Sequence, residues 1–261
     1  MTIDRTARIT FEETADLYNE TRLGYPEALI EDVISLSGIP AGGRILEVGC
    51  GPGNATLPFA RRGYRITAVE LGPRLAEYAR HNCRAYPDVE IITSSFEDWP
   101  LSSRYDLVMS AEAFHWIPPS IGYPKAAQAL KPTGSAALFW DAPIDPDNAC
   151  SHAVDRVYQQ IAPDLPQPGK NWTAEWLVGQ ITQNFVNSGC FGVVNVRQYP
   201  WFTSLTTEKY LKLLRTFSSH RGMEEALRQR LYAAIGEVID SFGGQIELPQ
   251  LSVLFVAQRK D

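Results

Sequence analysis

The stretch RILEVGCGPGNAT, residues 44–56, decides how this chain is read. A short run of strand formers gives way to glycine at 49, 51 and 53, and then to a segment suited to opening a helix. A tight turn needs one glycine, or two, to take positive φ. Three within five residues imply that a ligand lies directly against the backbone. A loop between a strand and its helix also brings N–H groups and a helix N-terminus to the mouth of a sheet.

Outward from that loop the pattern is regular. Upstream, PEALIEDVISLSG (26–38) spaces Leu29, Ile30, Val33 and Ile34 as a helix, with Gly38 placed to cap it. Downstream, NATLPFARR reads as a helix ended by Gly63, and YRITAVE as a second strand, which completes a βαβ unit. The alternation continues through helix PRLAEYARHNCRAY, strands VEIIT and YDLVMS, helix YPKAAQAL and strand SAALFW. Strands alternating with helices predict a mostly parallel sheet covered on both faces, with ligands at the carboxyl ends of its strands. After Trp140 the rhythm breaks. Helices are predicted near 150–161 and 174–187 around the proline-rich APDLPQPGKNW, then strand FGVVNVRQY, helices near 207–217 and 223–241, and a last strand in LSVLFVAQRK. The expected organisation is one domain over 1–261, with 1–25 as an N-terminal lid and 141–190 as an inserted helical cap.

The composition narrows the partners. There are 24 basic and 30 acidic residues, a formal charge of −6, which argues against broad contact with phosphate backbones. No apolar run is long enough to cross a membrane, and the opening MTIDRTARITFEE lacks a leader-like core, so a cytoplasmic protein without nucleic-acid or membrane partners is expected. The four cysteines and four histidines show no metal-ligand spacing, so no metal is expected.

Glu70 sharpens the loop. It ends the second strand 19 residues after Gly51, where a carboxylate can take both hydroxyls of a ribose. Dinucleotides and S-adenosylmethionine both meet that description. Asn54 stands where the dinucleotide loop has its third glycine, and Glu47 would repel a pyrophosphate while suiting a cofactor that carries an ammonium and a sulfonium.

The segment ILEVGCGPGNAT resembles the first motif of class I S-adenosylmethionine-dependent methyltransferases, and the order of segments matches that family over about residues 12–141. The resemblance implies a Rossmann-like, doubly wound α/β fold: a mostly parallel seven-stranded sheet with a helical cap inserted after the fifth strand. It implies that Glu47, Gly49 and Gly51 surround the methionine part of the cofactor, that Glu70 holds the ribose and that Leu71 packs on the adenine. SSFEDWP (94–100) resembles the family's adenine loop, which puts Phe96 and Glu97 at the adenine edge, with Ser95 and Phe96 standing where the family has an acid and a small residue. ADLYNETRLGYP (15–26) resembles a segment laid over the cofactor, with Tyr18 and Arg22 reaching its carboxylate and Tyr25 lining the substrate side. Ser110, heading SAEAFHWI after the fourth strand, joins the cofactor set.

Methyl transfer from a sulfonium is an in-line displacement for which the protein mainly supplies alignment and exclusion of water. His115 is the candidate base, because imidazole titrates in the useful range; the alternative is that His115 and Trp116 form the pocket wall. SAEA replaces the [DNS]PP[YFW] of many DNA amine methyltransferases, and AFHW resembles members acting on small carboxylic acids, such as the trans-aconitate methyltransferase group. Trp140, at the fifth strand's end, is placed on the substrate side, and Trp172 and Trp176 are read as packing of the cap. The reading is thus a methyltransferase with a small-molecule acceptor, monomeric or homodimeric. A non-catalytic S-adenosylmethionine-binding regulator and an NAD(P)-dependent oxidoreductase are the alternatives.

Overall fold

The computed structural model describes residues 16, 24–101, 104–144, 147–165 and 173–260. Seven strands form one sheet in the order β3-β2-β1-β4-β5-β7-β6. In chain order the elements are α1 (Glu27–Ser37), β1 (Arg44–Val48), α2 (Thr56–Ala60), β2 (Arg65–Glu70), α3 (Pro73–Cys83), β3 (Val89–Thr93), β4 (Tyr105–Ala111), α4 (Pro119–Ala129), β5 (Leu130–Pro143), α5 (Ala149–Ile161), α6 (Ala174–Ser188), β6 (Asn195–Thr206), α7 (Thr207–Leu214), α8 (Ser218–Arg221), α9 (Glu225–Ser241) and β7 (Gln245–Gln258). A single 3₁₀ turn, Phe114–Trp116, lies between β4 and α4. None of the described helices is long and apolar enough to cross a membrane.

The apolar runs of the strands are continuous because both faces of the sheet are covered. In β5, Ala136, Leu138 and Trp140 point into one core with Tyr123 of α4 and Phe185 of α6. Ala137 and Phe139 point into the other, with Leu29 and Val33 of α1 and Phe59 of α2. The strand period of two thus divides one run of residues between two cores. The helix over 26–38 forms as α1, and Gly38 ends it in the left-handed region at φ 66°.

Strands β1 to β5 run parallel, and β7 enters antiparallel between β5 and β6. Its reversal follows from a two-glycine turn, Gly243–Gly244, both at positive φ, which turns the chain back directly after α9. The sixth strand is longer than the sequence suggests. It reaches Thr206 because β7 gives it a partner along its whole length, from Asn195↔Val256 to Thr206↔Gln245. The last pair between β5 and β7 is Pro143↔Gln250, so the β6–β7 ribbon continues past the carboxyl edge of β5.

The segment expected as a cap divides. Leu177, Ile181 and Phe185 of α6 pack into the sheet's own core. Val154, Val157 and Tyr158 of α5 join Leu214, Leu231 and Ile235 of α7 and α9, with Leu205 and Ile246 of the ribbon, in a third cluster. Trp176 is 45% exposed on α6, and Trp172 lies outside the described residues.

Candidate functional site

The carboxyl ends of β1, β2, β3 and β4 converge on a cavity of about 250 Å³. Its lining brings together Gly49, Gly51, Glu70, Leu71, Phe96, Glu97, His115 and Trp116, which the sequence singles out. It also includes Leu75, Glu112 and Ile117, which the sequence did not single out.

Glu70 is held rather than loose. Its Oε2 accepts from the Gly51 N–H and its Oε1 from the Gly72 N–H, both at 2.8 Å. The two backbone donors orient the carboxylate at the end of β2. The three glycines turn out to serve different ends. A Cβ on Gly49 would stand 2.4 Å from the Ala113 Cβ, so that glycine makes room for the chain after β4. A Cβ on Gly53 would meet Cys83 Sγ of α3 at 3.3 Å, and Gly53 is not part of the lining. The expectation that all three clear space for a ligand is therefore corrected: two of them clear space for the protein itself.

Glu47 is fully buried behind the loop and does not line the cavity. Thr56 Oγ1 donates to its Oε2 at 2.6 Å, while Oε1 has no hydrogen-bond partner among the described residues. Burial pushes its carboxyl up to about 7, with the Thr56 bond opposing and the Glu70 charge adding to the rise. Ser110 is also fully buried, donating to the Val48 carbonyl at 2.6 Å, and so ties β4 to β1 behind the cavity. In the adenine-loop segment, Ser95 Oγ is engaged within its own turn, donating to Asp98 and accepting from the Asp98 N–H. Lys125 of α4 donates to the carbonyls of Glu97 and Trp99 and fixes the loop from outside.

On the opposite wall, Glu112 has φ 58°, the only non-glycine positive φ among the described residues. Its N–H donates to the Phe139 carbonyl and its carboxylate accepts from the Asp141 N–H, so pairing with β5 imposes the conformation. The chain then turns into the 3₁₀ segment that carries His115 and Trp116, whose rings lie 4.9 Å apart. Trp140 does not reach the cavity. It is 1% exposed, stands behind His115 and donates from Nε1 to His115 Nδ1 at 3.0 Å. Tyr25 is likewise absent from the lining, its ring meeting Phe139 edge-on at 4.8 Å on the α1 face of the sheet. The substrate-side place expected for Trp140 is thus corrected, since strand alternation turns it into the core; the chain entering α1 carries Tyr25 against the sheet. Tyr18 and Arg22 lie outside the described residues.

A family model described as a methyltransferase domain matches residues 45–134, from β1 through the start of β5. The region from β1 to the start of β5 is thus similar to the methyltransferase domain of class I, S-adenosylmethionine-dependent enzymes. Among curated methyltransferases, an uncharacterized one of Mycobacterium tuberculosis is 28% identical over 138 residues, covering 52% of this chain and 54% of the relative. A trans-aconitate 2-methyltransferase of Mycobacterium ulcerans is 30% identical over 145 residues, 52% of each chain. These matches span about half the length of the relatives. A solved methyltransferase of Thiobacillus denitrificans, in complex with S-adenosylhomocysteine, shares the fold with a TM-score of 0.53 at 18% identity over 97% of this chain and 99% of that one.

Methyltransferases of this class use S-adenosylmethionine, and the charge of the cavity fits such a cofactor. Its described lining carries the acids Glu70, Glu97 and Glu112 and no lysine or arginine, with the Glu47 carboxyl buried beneath. A group bearing a sulfonium and an ammonium meets complementary charge there.

Proposed function

We propose that the protein transfers the methyl group of S-adenosylmethionine to a small-molecule acceptor. The observation that carries this reading is Glu70, clamped by two backbone N–H groups at the rim of an acid-lined cavity. In this reading Glu70 takes the ribose hydroxyls, while Leu71, Phe96 and the Glu97 loop flank the adenine. Gly51 lets the backbone pass close to the methionine part, Gly49 lines the same wall, and the buried Glu47 carboxyl stands behind it. When bound, the cofactor supplies an activated methyl on sulfur. The chain's own part is to orient the two reactants and to exclude water. His115 and Trp116 face the acceptor, and the cluster of α5, α7 and α9 beyond the carboxyl edge covers it.

The name of the Mycobacterium ulcerans relative makes small carboxylic acids the first acceptors to assay, with trans-aconitate at their head. The test is calorimetric titration with S-adenosylmethionine, S-adenosylhomocysteine and NAD, followed by transfer of a tritiated methyl group to a panel of acids and amines. Micromolar binding of the two adenosyl-sulfur ligands, weakened by Glu70→Ala, together with label in an acid, is the expected result. Binding of NAD alone would overturn the reading.

A further inference from the structure

The contact between Trp140 and His115 fixes more than a ring position. An indole N–H donates and cannot accept, so the Nδ1 it meets at 3.0 Å is the unprotonated nitrogen of His115. Trp140 is 1% exposed, so giving up this acceptor would strand a buried donor. The neutral imidazole therefore carries its proton on Nε2. The two nitrogens flank Cε1 and point to opposite sides of the ring. With Nδ1 aimed into the core, Nε2–H is directed away from it, on a residue that lines the cavity.

A histidine held this way is a poor base at either nitrogen, since Nε2 already bears a proton and the Nδ1 lone pair is taken. We propose that Trp140 is a positioning residue that holds His115 in the Nε2–H tautomer, and that His115 donates a hydrogen bond to a carboxylate of the methyl acceptor instead of removing a proton from it. This rests on the methyl-transfer reading above and names the acceptor class of that same site. A neutral amine has one lone pair, which the new bond requires, so a donor aimed at it opposes transfer. A carboxylate has two oxygens, one to accept from His115 and one to attack. The attacking oxygen forms the C–O bond as the methyl carbon parts from sulfur, which keeps the electron pair. The product is a methyl ester and no proton moves, so no base is needed.

The experiment is long-range ¹H–¹⁵N correlation on ¹⁵N-histidine-labelled protein at neutral pH, saturated with S-adenosylhomocysteine. His115→Gln assigns the His115 signal among the four histidines. The expected spectrum shows a bare Nδ1 and a protonated Nε2. Citrate, the carboxylate probe, shifts the Nε2–H resonance, and ethanolamine, the amine probe, does not. In Trp140→Phe the signal moves toward a mixture of tautomers. An Nδ1–H tautomer or an imidazolium in the unaltered protein, or a response to ethanolamine and not to citrate, would overturn the proposal, as would silence toward both. The unaltered protein decides the tautomer even if Trp140→Phe does not fold. Calorimetry of S-adenosylhomocysteine on the same sample keeps the two readings apart. Failure to bind sinks the methyl-transfer reading, whereas normal binding with the wrong tautomer sinks only this one.

Discussion

Glu47 and Glu70 come from adjacent strands, β1 and β2, and their carboxylates meet different surroundings. Glu70 is met by two backbone donors at the cavity rim, so Glu70→Ala removes a pre-oriented acceptor without opening the core. The expected loss of affinity for S-adenosylhomocysteine is about 10- to 100-fold, in line with roughly 1.5–3 kcal/mol for hydrogen bonds to a charged group, and calorimetry reads it. Glu47 is sealed in, and its value rises from the ordinary 4.5 to about 7 mainly by burial. Between those values the folded state keeps a proton that the unfolded state releases, so stability declines as pH rises from 4.5 to 7 and then levels off. The full effect is on the order of 3 kcal/mol. Glu47→Gln is expected to flatten that decline in urea denaturation at pH 5 and pH 8. His220 has the opposite sign. Burial, aided by the Arg228 charge, lowers it from 6.5 to about 4, so stability is lost as pH falls through that window. At this scale the sequence spoke where spacing carries the information, as with Glu70. It was silent on Glu112 and on the Trp140–His115 pair, because strand pairing makes those contacts.

At the scale of elements, the loop after β1 is set by its neighbours as much as by its own sequence. Gly49 has φ 71° and no room for a Cβ against Ala113, whereas Gly63, after α2, has φ 78° and nothing within 4 Å. Both substitutions to alanine strain the backbone, at about 1 kcal/mol. Only Gly49→Ala must also push the β4 turn aside, and its total cost is expected to be about 3 kcal/mol, or more, on top of a distorted cavity. Thermal denaturation of the two variants side by side checks the difference. Strands and helices through β5 were legible because the period switches cleanly between two and about 3.6. The division of 141–190 was not legible, since α6 and α5 are both amphipathic and their sequences do not say which surface each covers.

Across the whole molecule, the two cores of the sheet and the third cluster of α5, α7 and α9 are distinct apolar units, and the cavity lies at the carboxyl ends of β1 to β4. A ligand that binds only the folded chain stabilises it in proportion to the logarithm of its excess. S-adenosylhomocysteine at about 100 times its Kd is expected to raise Tm by roughly 5 °C, while NAD at the same concentration leaves it unchanged. Differential scanning calorimetry makes that comparison. The parallel half of the sheet and its ligand edge were readable from alternation alone. The antiparallel entry of β7 was not, because a buried apolar run has no direction written into it.

That entry bears on how the chain is made. Among the described residues the edge strand β6 has β7 as its sole neighbour in the sheet, and the β5 edge that faces away from β4 is covered by β7 as well. On the ribosome, β5 and β6 emerge long before Gln258, so both present open hydrogen-bonding edges to the surroundings while translation continues. The newborn chain passes through an aggregation-exposed interval that ends only when β7 slides between two strands that are already waiting.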